Sequence, residues 1–492
     1  MIHLLFPQNI TDWQTFGLFF LTLGTILAIS EWLKKHLKFS DELSRKLIHV
    51  SVGALVWLYA TQLQTPNVII FISLLFTLIN AIVLKFNLLP AMQADRTTYG
   101  TVLYPLAIAI SAALFWQHNK TLFYIAVWVL AVADALAAGV GQSVKKPVPL
   151  RMWYDKKSVQ GALTMWGATA LIIYIAFTIS GNYHNPLPLW LISCVAGALI
   201  AISELISKKG SDNLSVALMT LLLLDILIHD AATGVRFNWA FLVSAVSVSV
   251  IVKWGWLTVE GGIATVFTGT LLYGLGGWEW TLPIVVFFIT SSLLSVAGRA
   301  YKQRFKEQFA KSSRRDAHQV FANGGMALII MILYYYDPQP FYYFMFLASL
   351  AAANADTWAT ELGVFSPHEP RMITTLQSVE KGRSGAVSWT GLLAAMAGSA
   401  LIALTGYLFL PMPAMIGYFI LVAASGFLAS LVDSLLGATL QAQFRTANGK
   451  WTEIPGKGHA LQQGVSFVTN DVVNFIAILS ASLMIGLFLI FK

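Results

Sequence analysis

Apolar stretches of about 20 residues alternate with short polar stretches along almost the whole chain. A helix rises about 1.5 Å per residue, so a run of that length crosses the hydrocarbon core of a bilayer. Runs centred near residues 22, 55, 75, 108, 131, 170, 198, 221, 245, 267, 289, 327, 348, 396, 421 and 479 predict about sixteen spanning helices. The expected fold is all-α, a polytopic integral membrane protein. The first run, Phe16 to Ile29, follows no basic leader and precedes no small-residue cleavage site, so it reads as a retained span. There is no Arg/Ser-rich transit segment, which favours a bacterial inner membrane, cytoplasmic or thylakoid.

The polar stretches orient the helices. Lys34, Lys35, Lys38, Arg45 and Lys46 follow the first run and place that loop in the cytoplasm. Every second loop onward is basic: Lys85 and Arg96; Lys145, Lys146, Arg151, Lys156 and Lys157; Lys208 and Lys209; Lys253; Arg299 to Arg315; Arg371, Lys381 and Arg383; Arg445, Lys450 and Lys457. The opposite side receives Lys120, Arg236 and Lys492, which puts both termini outside. The segment from Arg299 to Arg315 reads as an interfacial helix extending the eleventh span. The stretch Ala442 to Thr469 reads as a long loop whose Gly449, Gly456, Gly458 and Gly464 permit close backbone approach to a ligand.

Composition agrees with the pattern. Hydrophobic residues make up 57% of the 492, charged residues 11%, and the mean hydropathy is +0.70. Soluble domains carry roughly a quarter charged residues, so a soluble multidomain protein is excluded. The net charge of +8 lies in loops and sets orientation; no nucleic-acid partner is implied. The single cysteine, Cys194, sits in an apolar run, where it can form no internal disulfide and reads as packing.

The polar residues repeat. Arg45 and His49 near the second run match Arg314 and His318 near the twelfth. Ala133, Asp134, Ala137 and Gly141 match Ala355, Asp356, Ala359 and Gly363 at identical spacing. Lys157, Gly161, Ala162 and Gly167 match Lys381, Gly385, Ala386 and Gly391, again at identical spacing. Glu204 is paired with Asp433, and Asp212-Asn213 with Asn470-Asp471. The order predicts two similarly oriented modules, 1–235 and 236–492, each of about eight spans, with these residues at the cytoplasmic ends.

Carboxylates at membrane helices are costly and mark sites. Several converging at one vestibule need a cation, and Mg²⁺ suits oxygen ligands that also face phosphates. Lys157 and Lys381 at helix starts, beside Ser158, Gly161, Ser384 and Gly385, read as phosphate cradles. Asn213 and Asn470 complete a metal or nucleotide shell. Together these suit phosphoryl or nucleotidyl transfer. Each residue also has a structural alternative. Asp134 and Asp356 read as helix-terminal carboxylates, Lys157 and Lys381 as interface anchors, and His49 and His318 as packed polar groups. Asp212-Asn213 reads as a helix cap, and Arg445, Lys457 and His459 as solvated loop charge.

The runs RKLIHVSVG, ADALAAGVG, KKSVQGAL and SELISKKGSDNL, over about residues 40 to 230, resemble the CTP-dependent isoprenoid alcohol kinases, which include phytol and dolichol kinases and are related to phosphatidate cytidylyltransferase. RTTYGTVLYPLA is most similar to the phytol-kinase branch. RRDAHQVFANGG, NADTWATELG, ITTLQSVEKGRSGAVSWTG, LVDSLLGATLQ and TNDVVNF, over about residues 240 to 490, resemble a former unknown-function membrane family that includes phytyl-phosphate kinase. That family usually has a Gly-Thr-x-Gly-Gly phrase where this chain has Gly382-Arg383-Ser384-Gly385-Ala386.

The resemblance implies a bifunctional membrane kinase taking an isoprenoid alcohol to its monophosphate and then its diphosphate. CTP is the implied donor in the first module, with another nucleoside triphosphate open for the second, and Mg²⁺ the implied metal. The candidate catalytic residues are Asp134, Lys157, His49, Asp356, Lys381 and His318, of which the resemblance itself points to Asp134 and Lys157. Nucleotide and phosphate contacts fall on Arg45, Lys46, Ser158, Gly161, Asn213, Arg315, Asn323, Arg383, Ser384, Gly385 and Asn470. Metal ligands fall on Asp134, Glu204, Asp212, Asp356, Glu361, Asp433 and Asp471. The partners are the isoprenoid alcohol and its phosphate, the nucleotide and membrane lipids. Trp57, Trp128 and Trp166 are candidates for a lipid groove, or members of an interfacial belt. A phospholipid cytidylyltransferase and a lipid transporter or flippase are the other readings, but transporters hold their charges near mid-membrane.

Overall fold

A computed structural model describes residues 10–37, 41–86, 98–150, 157–297, 314–410, 415–446, 451–453, 456 and 459–491. Among them the chain is helical at every expected centre. Ten described helices are long and apolar enough to cross a membrane, and Gly100–Phe115 and Leu189–Leu205 are shorter apolar helices. The protein is therefore an all-α polytopic membrane protein. The chain divides into two compact units, Met1–Asn238 and Trp239–Lys492. The expected interfacial helix falls almost wholly on 298–313, outside the described residues, as do Arg96, Arg151, Lys156, Lys450 and Lys457.

In the first unit the helices are α1 (Ile10–Leu37), α2 (Asp41–Gln62), α3 (Asn67–Phe86), α4 (Gly100–Phe115), α5 (Lys120–Trp128), α6 (Asp134–Ser143), α7 (Val159–Ser180), α8 (Leu189–Leu205) and α9 (Asp212–His229). Their ends follow the local chemistry. Asn119 caps α5 by accepting the Thr121 N–H at 3.2 Å. Gly181, at φ 66°, ends α7 in the left-handed conformation that glycine takes without strain. Between α5 and α6, Val129–Ala133 forms a π turn, and the Asp134 N–H bonds to the Val129 carbonyl five residues back. Such turns insert a residue and re-aim the side chains that follow. A short antiparallel pair, β1 (Pro149–Leu150) with β2 (Lys157–Ser158), leads into α7.

Helix α10 (Ala231–Lys253) leads into the second unit, followed by α11 (Val259–Ala297), α12 (Ala317–Tyr336), α13 (Pro340–Gly363), α14 (Trp389–Tyr407), α15 (Ile416–Thr439) and α16 (Asn470–Ile490). Helix α11 is broken at Gly277 (φ 65°, ψ −154°), and its two halves are the runs centred near 267 and 289. Asp316 and Gln319 form a reciprocal capping box at the start of α12. Pro340 opens α13, where its missing N–H costs nothing. The pair β3 (Arg371–Met372) with β4 (Ala386–Val387) leads into α14. The expected long loop after α15 is a correction. It carries a three-stranded antiparallel sheet of β5 (Gln443–Arg445), β6 (Trp451–Thr452) and β7 (Ala460–Gln463), in order β6-β5-β7. Strand pairing satisfies the backbone groups of these segments.

Helix α13 is the centre of the second unit, packed by α11, α12, α14, α15 and α16. Its inner face is small: Ala348, Ala351, Ala352, Ala353 and Ala355 are buried, which lets neighbouring backbones approach. Large apolar side chains such as Leu171, Ile175 and Ile179 on α7, and Leu393, Met396 and Leu404 on α14, face outward. That outward apolar surface is what lipid tails require.

Candidate active site

The first unit gathers its charges where α2, α6, α8 and α9 meet the β1–β2 pair. The π turn delivers Asp134 to the start of α6, where its Oδ2 meets Lys46 Nζ of α2 at 2.5 Å. Lys157, on β2, bonds Glu204 at the end of α8 and lies 3.6 Å from Asp212 at the start of α9. Carboxylate oxygens of Asp134, Glu204 and Asp212 all lie within 4.8 Å of one another. Side-chain exposures of 10–24% for Lys157, Glu204 and Asp212 show a site shielded from bulk water. Burial works against the Lys157 ammonium, but Glu204 and Asp212 outweigh it and hold its proton more firmly than in an ordinary lysine.

Two other expected residues belong to the walls. His49 lies nearly one turn beyond Lys46 on α2, its ring 4.3 Å from that of Tyr104, whose hydroxyl donates to the His49 carbonyl at 2.9 Å. Ser158 caps α7 by accepting the Gly161 N–H at 3.2 Å. Arg45 is exposed. Asn213 was expected in a nucleotide or metal shell. Its amide instead donates to the carbonyls of Gly100 (3.1 Å) and Gly210 (3.3 Å). With Tyr99 N–H on the Lys209 carbonyl at 2.9 Å, it ties the start of α4 to the turn before α9. That clasp holds the segment that presents Asp212.

The second unit is arranged differently. Among the described residues no second group of three acidic or histidine ligands lies so close. Arg315 lies over the rings of Phe287 and Phe288, at 5.3 and 5.6 Å, with Glu361 as its charged neighbour. Glu361 accepts the Ser295 hydroxyl at 2.8 Å. His318 and Asn323 lie half-buried on α12, and Asp356 half-buried on α13. The Asn474 amide, oriented to donate, reaches Asp433 Oδ1 and the Asn470 carbonyl at 3.0 Å each. Asp471 is in the first turn of α16.

The Lys157–Lys381 match is corrected. Lys381 precedes β4, well before α14, and donates to the carbonyls of Ser366 (2.7 Å) and Val364 (3.3 Å) beyond the end of α13. The structural counterpart of Ser158 and Gly161 is Ser388 and Gly391. Ser388 caps α14 through the Gly391 N–H at 3.1 Å. A Cβ on Gly161 would lie 3.2 Å from the Ala137 carbonyl and 3.7 Å from Gly141 Cα; on Gly391 it would lie 3.2 Å from the Ala359 carbonyl and 3.6 Å from Gly363 Cα. The spacing from Asp134 to Gly141 and from Asp356 to Gly363 therefore has a shared structural meaning. Gly385 (φ 79°) instead packs on Ala438, where a Cβ would come within 2.5 Å of the backbone nitrogen.

Several participants had escaped notice. Gln443, Trp451, Thr452 and Glu453 face the turn Gly382–Ser384. Arg383 lies 4.5 Å over the Trp451 ring, and Glu453 accepts the Ser384 hydroxyl. Only the glycines around this stretch had signalled close approach. Of the tryptophans, Trp57 and Trp128 come together, ring centroids 5.6 Å apart, whereas Trp166 donates to the Cys194 carbonyl at 2.8 Å.

Known proteins resemble parts of this chain. The family described as integral membrane protein DUF92 matches residues 242–482. Protein PGR of Arabidopsis thaliana is 32% identical over 252 residues, covering 46% of this chain and 87% of that protein. An uncharacterized membrane protein of Methanocaldococcus jannaschii is 33% identical over 211 residues, 42% of this chain and 85% of that protein. Phytol kinase of Synechocystis is 29% identical over 220 residues, 43% of this chain and 91% of that protein. No solved structure matches. With most of Protein PGR matched and the second unit covered by the family, the chain belongs to the DUF92 family of integral membrane proteins.

Proposed function

We propose that the first unit transfers a phosphoryl group from CTP to an isoprenoid alcohol such as phytol, and that the second adds another phosphate to give the diphosphate. One observation carries this reading: Asp134, Glu204 and Asp212 converge beside Lys46 and Lys157 in a shielded site. The similarity to a phytol kinase supports the alcohol as substrate.

The donor set fits a small hard cation, since three carboxylates offer oxygens within 4.8 Å of one another. Mg²⁺ held by them would supply charge neutralisation for the phosphates. The chain's own residues supply the rest. Lys46 and Lys157 keep the carboxylates balanced before substrate arrives, and each ammonium has further donors for phosphate oxygens. The π turn and the Asn213 clasp fix Asp134 and Asp212, because phosphoryl transfer depends mainly on positioning and charge. His49 stands near Lys46 on the same helix, as the candidate acceptor for the alcohol proton.

In this reading both sites face the cytoplasm of a bacterial inner membrane. The monophosphate is amphiphilic and stays at the membrane, so joining two modules in one chain raises its effective concentration for the second step. Purified protein in nanodiscs, given phytol or geranylgeraniol, Mg²⁺ and labelled CTP, is expected to yield labelled mono- and diphosphate. Appearance of CDP-linked lipid as the sole product would overturn the kinase reading.

A further inference from the structure

The turn Gly382–Ser384 and strand β6 enclose a small pocket lined by Lys381, Arg383, Ser384, Gln443, Trp451 and Glu453. Its walls are fixed. Gly385 is pressed on Ala438 at the end of α15, and Gln443 donates to the Gly437 carbonyl at 2.9 Å. Arg383 stacks on Trp451, and its Nε is buried with no hydrogen-bond partner among the described residues. A guanidinium in that setting is a donor awaiting an acceptor. Two carboxylates, Glu380 and Glu453, line the pocket with it, and Glu453 accepts the Ser384 hydroxyl. An internal carboxylate beside cationic and hydroxyl donors occupies the position that an anionic oxygen of a ligand would take.

We propose that this pocket receives the phosphate group of a lipid phosphate monoester, and that Glu453 is an internal competitor for it. The ligand oxygens take the Arg383 and Ser384 donors, and the Glu453 side chain turns out of the pocket. This deepens the reading of the second unit as a phosphotransferase acting on a phosphorylated lipid, and rests on it. A phosphate monoester carries close to two negative charges at neutral pH, so it draws the Arg383 and Ser384 donors more strongly than the single charge of Glu453 does.

The test is direct binding to the full chain in nanodiscs by calorimetry, with n-octyl phosphate and CTP as separate probes. Glu453→Gln keeps the shape and removes the charge. It is expected to bind octyl phosphate at least fivefold more tightly than the unaltered protein. Arg383→Met is expected to bind it at least tenfold more weakly, with Arg383→Lys between the two. Unchanged octyl phosphate affinity in Glu453→Gln, with Arg383→Met weakened, would overturn the competitor role while leaving the phosphate site standing. Equal affinity in Arg383→Met, Arg383→Lys and the unaltered protein would overturn the phosphate site itself. A gain confined to CTP would overturn the monoester assignment in favour of the donor nucleotide.

Discussion

Lys157 shows how much rests on single charges in an apolar protein. Its ammonium stands between Glu204 and Asp212, with only 18% of the side chain exposed. Removing one partner of such a buried pair leaves the other charge unsolvated, which costs about 3–5 kcal/mol. Lys157→Met is therefore expected to lower thermal stability sharply, and the double variant Lys157→Met/Glu204→Gln to recover most of it. The pH dependence follows from the raised proton affinity of Lys157. Its stabilisation is fully present below the unfolded lysine value of about 10.4 and is lost only as pH rises through the higher folded value. The deficit of Lys157→Met should thus stay constant from pH 7 to pH 9 in thermal unfolding. A deficit that shrinks over that window would show that Lys157 titrates there and is not held by its carboxylates. That Asp134, Lys157, Glu204 and Asp212 stand out was legible where charge and apolar context conflicted, and the structure brings them together. It was not legible at Asn213, since polar side chains that tie backbone carbonyls look the same in sequence as those that bind ligands.

At the level of elements, helix positions could be read from apolar run length because the bilayer sets that length directly. The kink at Gly277 and the π turn before Asp134 involve local hydrogen-bond choices that run length does not record. The same holds for the repeated helix start. Spacing alone aligned Gly161 with Gly385, yet the close approach is made by Gly391, because Lys157 lies on the strand that enters α7 whereas Lys381 lies before the corresponding strand β4. Tight packing gives a test. A side chain on Gly161 or Gly391 meets a neighbouring carbonyl, whereas Gly167 has nothing within 4 Å of an added Cβ. Gly161→Val and Gly391→Val are expected to lose about 1–3 kcal/mol each through overpacking, and Gly167→Val to unfold at the temperature of the unaltered protein. Equal losses in all three, measured by thermal unfolding in the same lipid, would mean that the helix starts are not close-packed contacts.

The whole molecule pairs two units that share a helix-start motif and differ in their charges. The first concentrates three carboxylates and two lysines. The second sets Arg315 with Glu361, Asp433 with Asn474, and Arg383 and Ser384 with the sheet that follows α15. That sheet was unreadable from sequence because its strands are two to four residues long, too short for any periodicity. The proposed function, one site in each unit, implies two separable steps. Product analysis of Asp134→Asn and Asp356→Asn tests this most directly, with phytol and, in parallel, phytyl monophosphate as starting material. Asp134→Asn should form no product from phytol yet convert the monophosphate to the diphosphate. Asp356→Asn should accumulate monophosphate from phytol. Diphosphate from phytol in either variant at the rate of the unaltered protein would contradict the assignment of one phosphorylation to each unit.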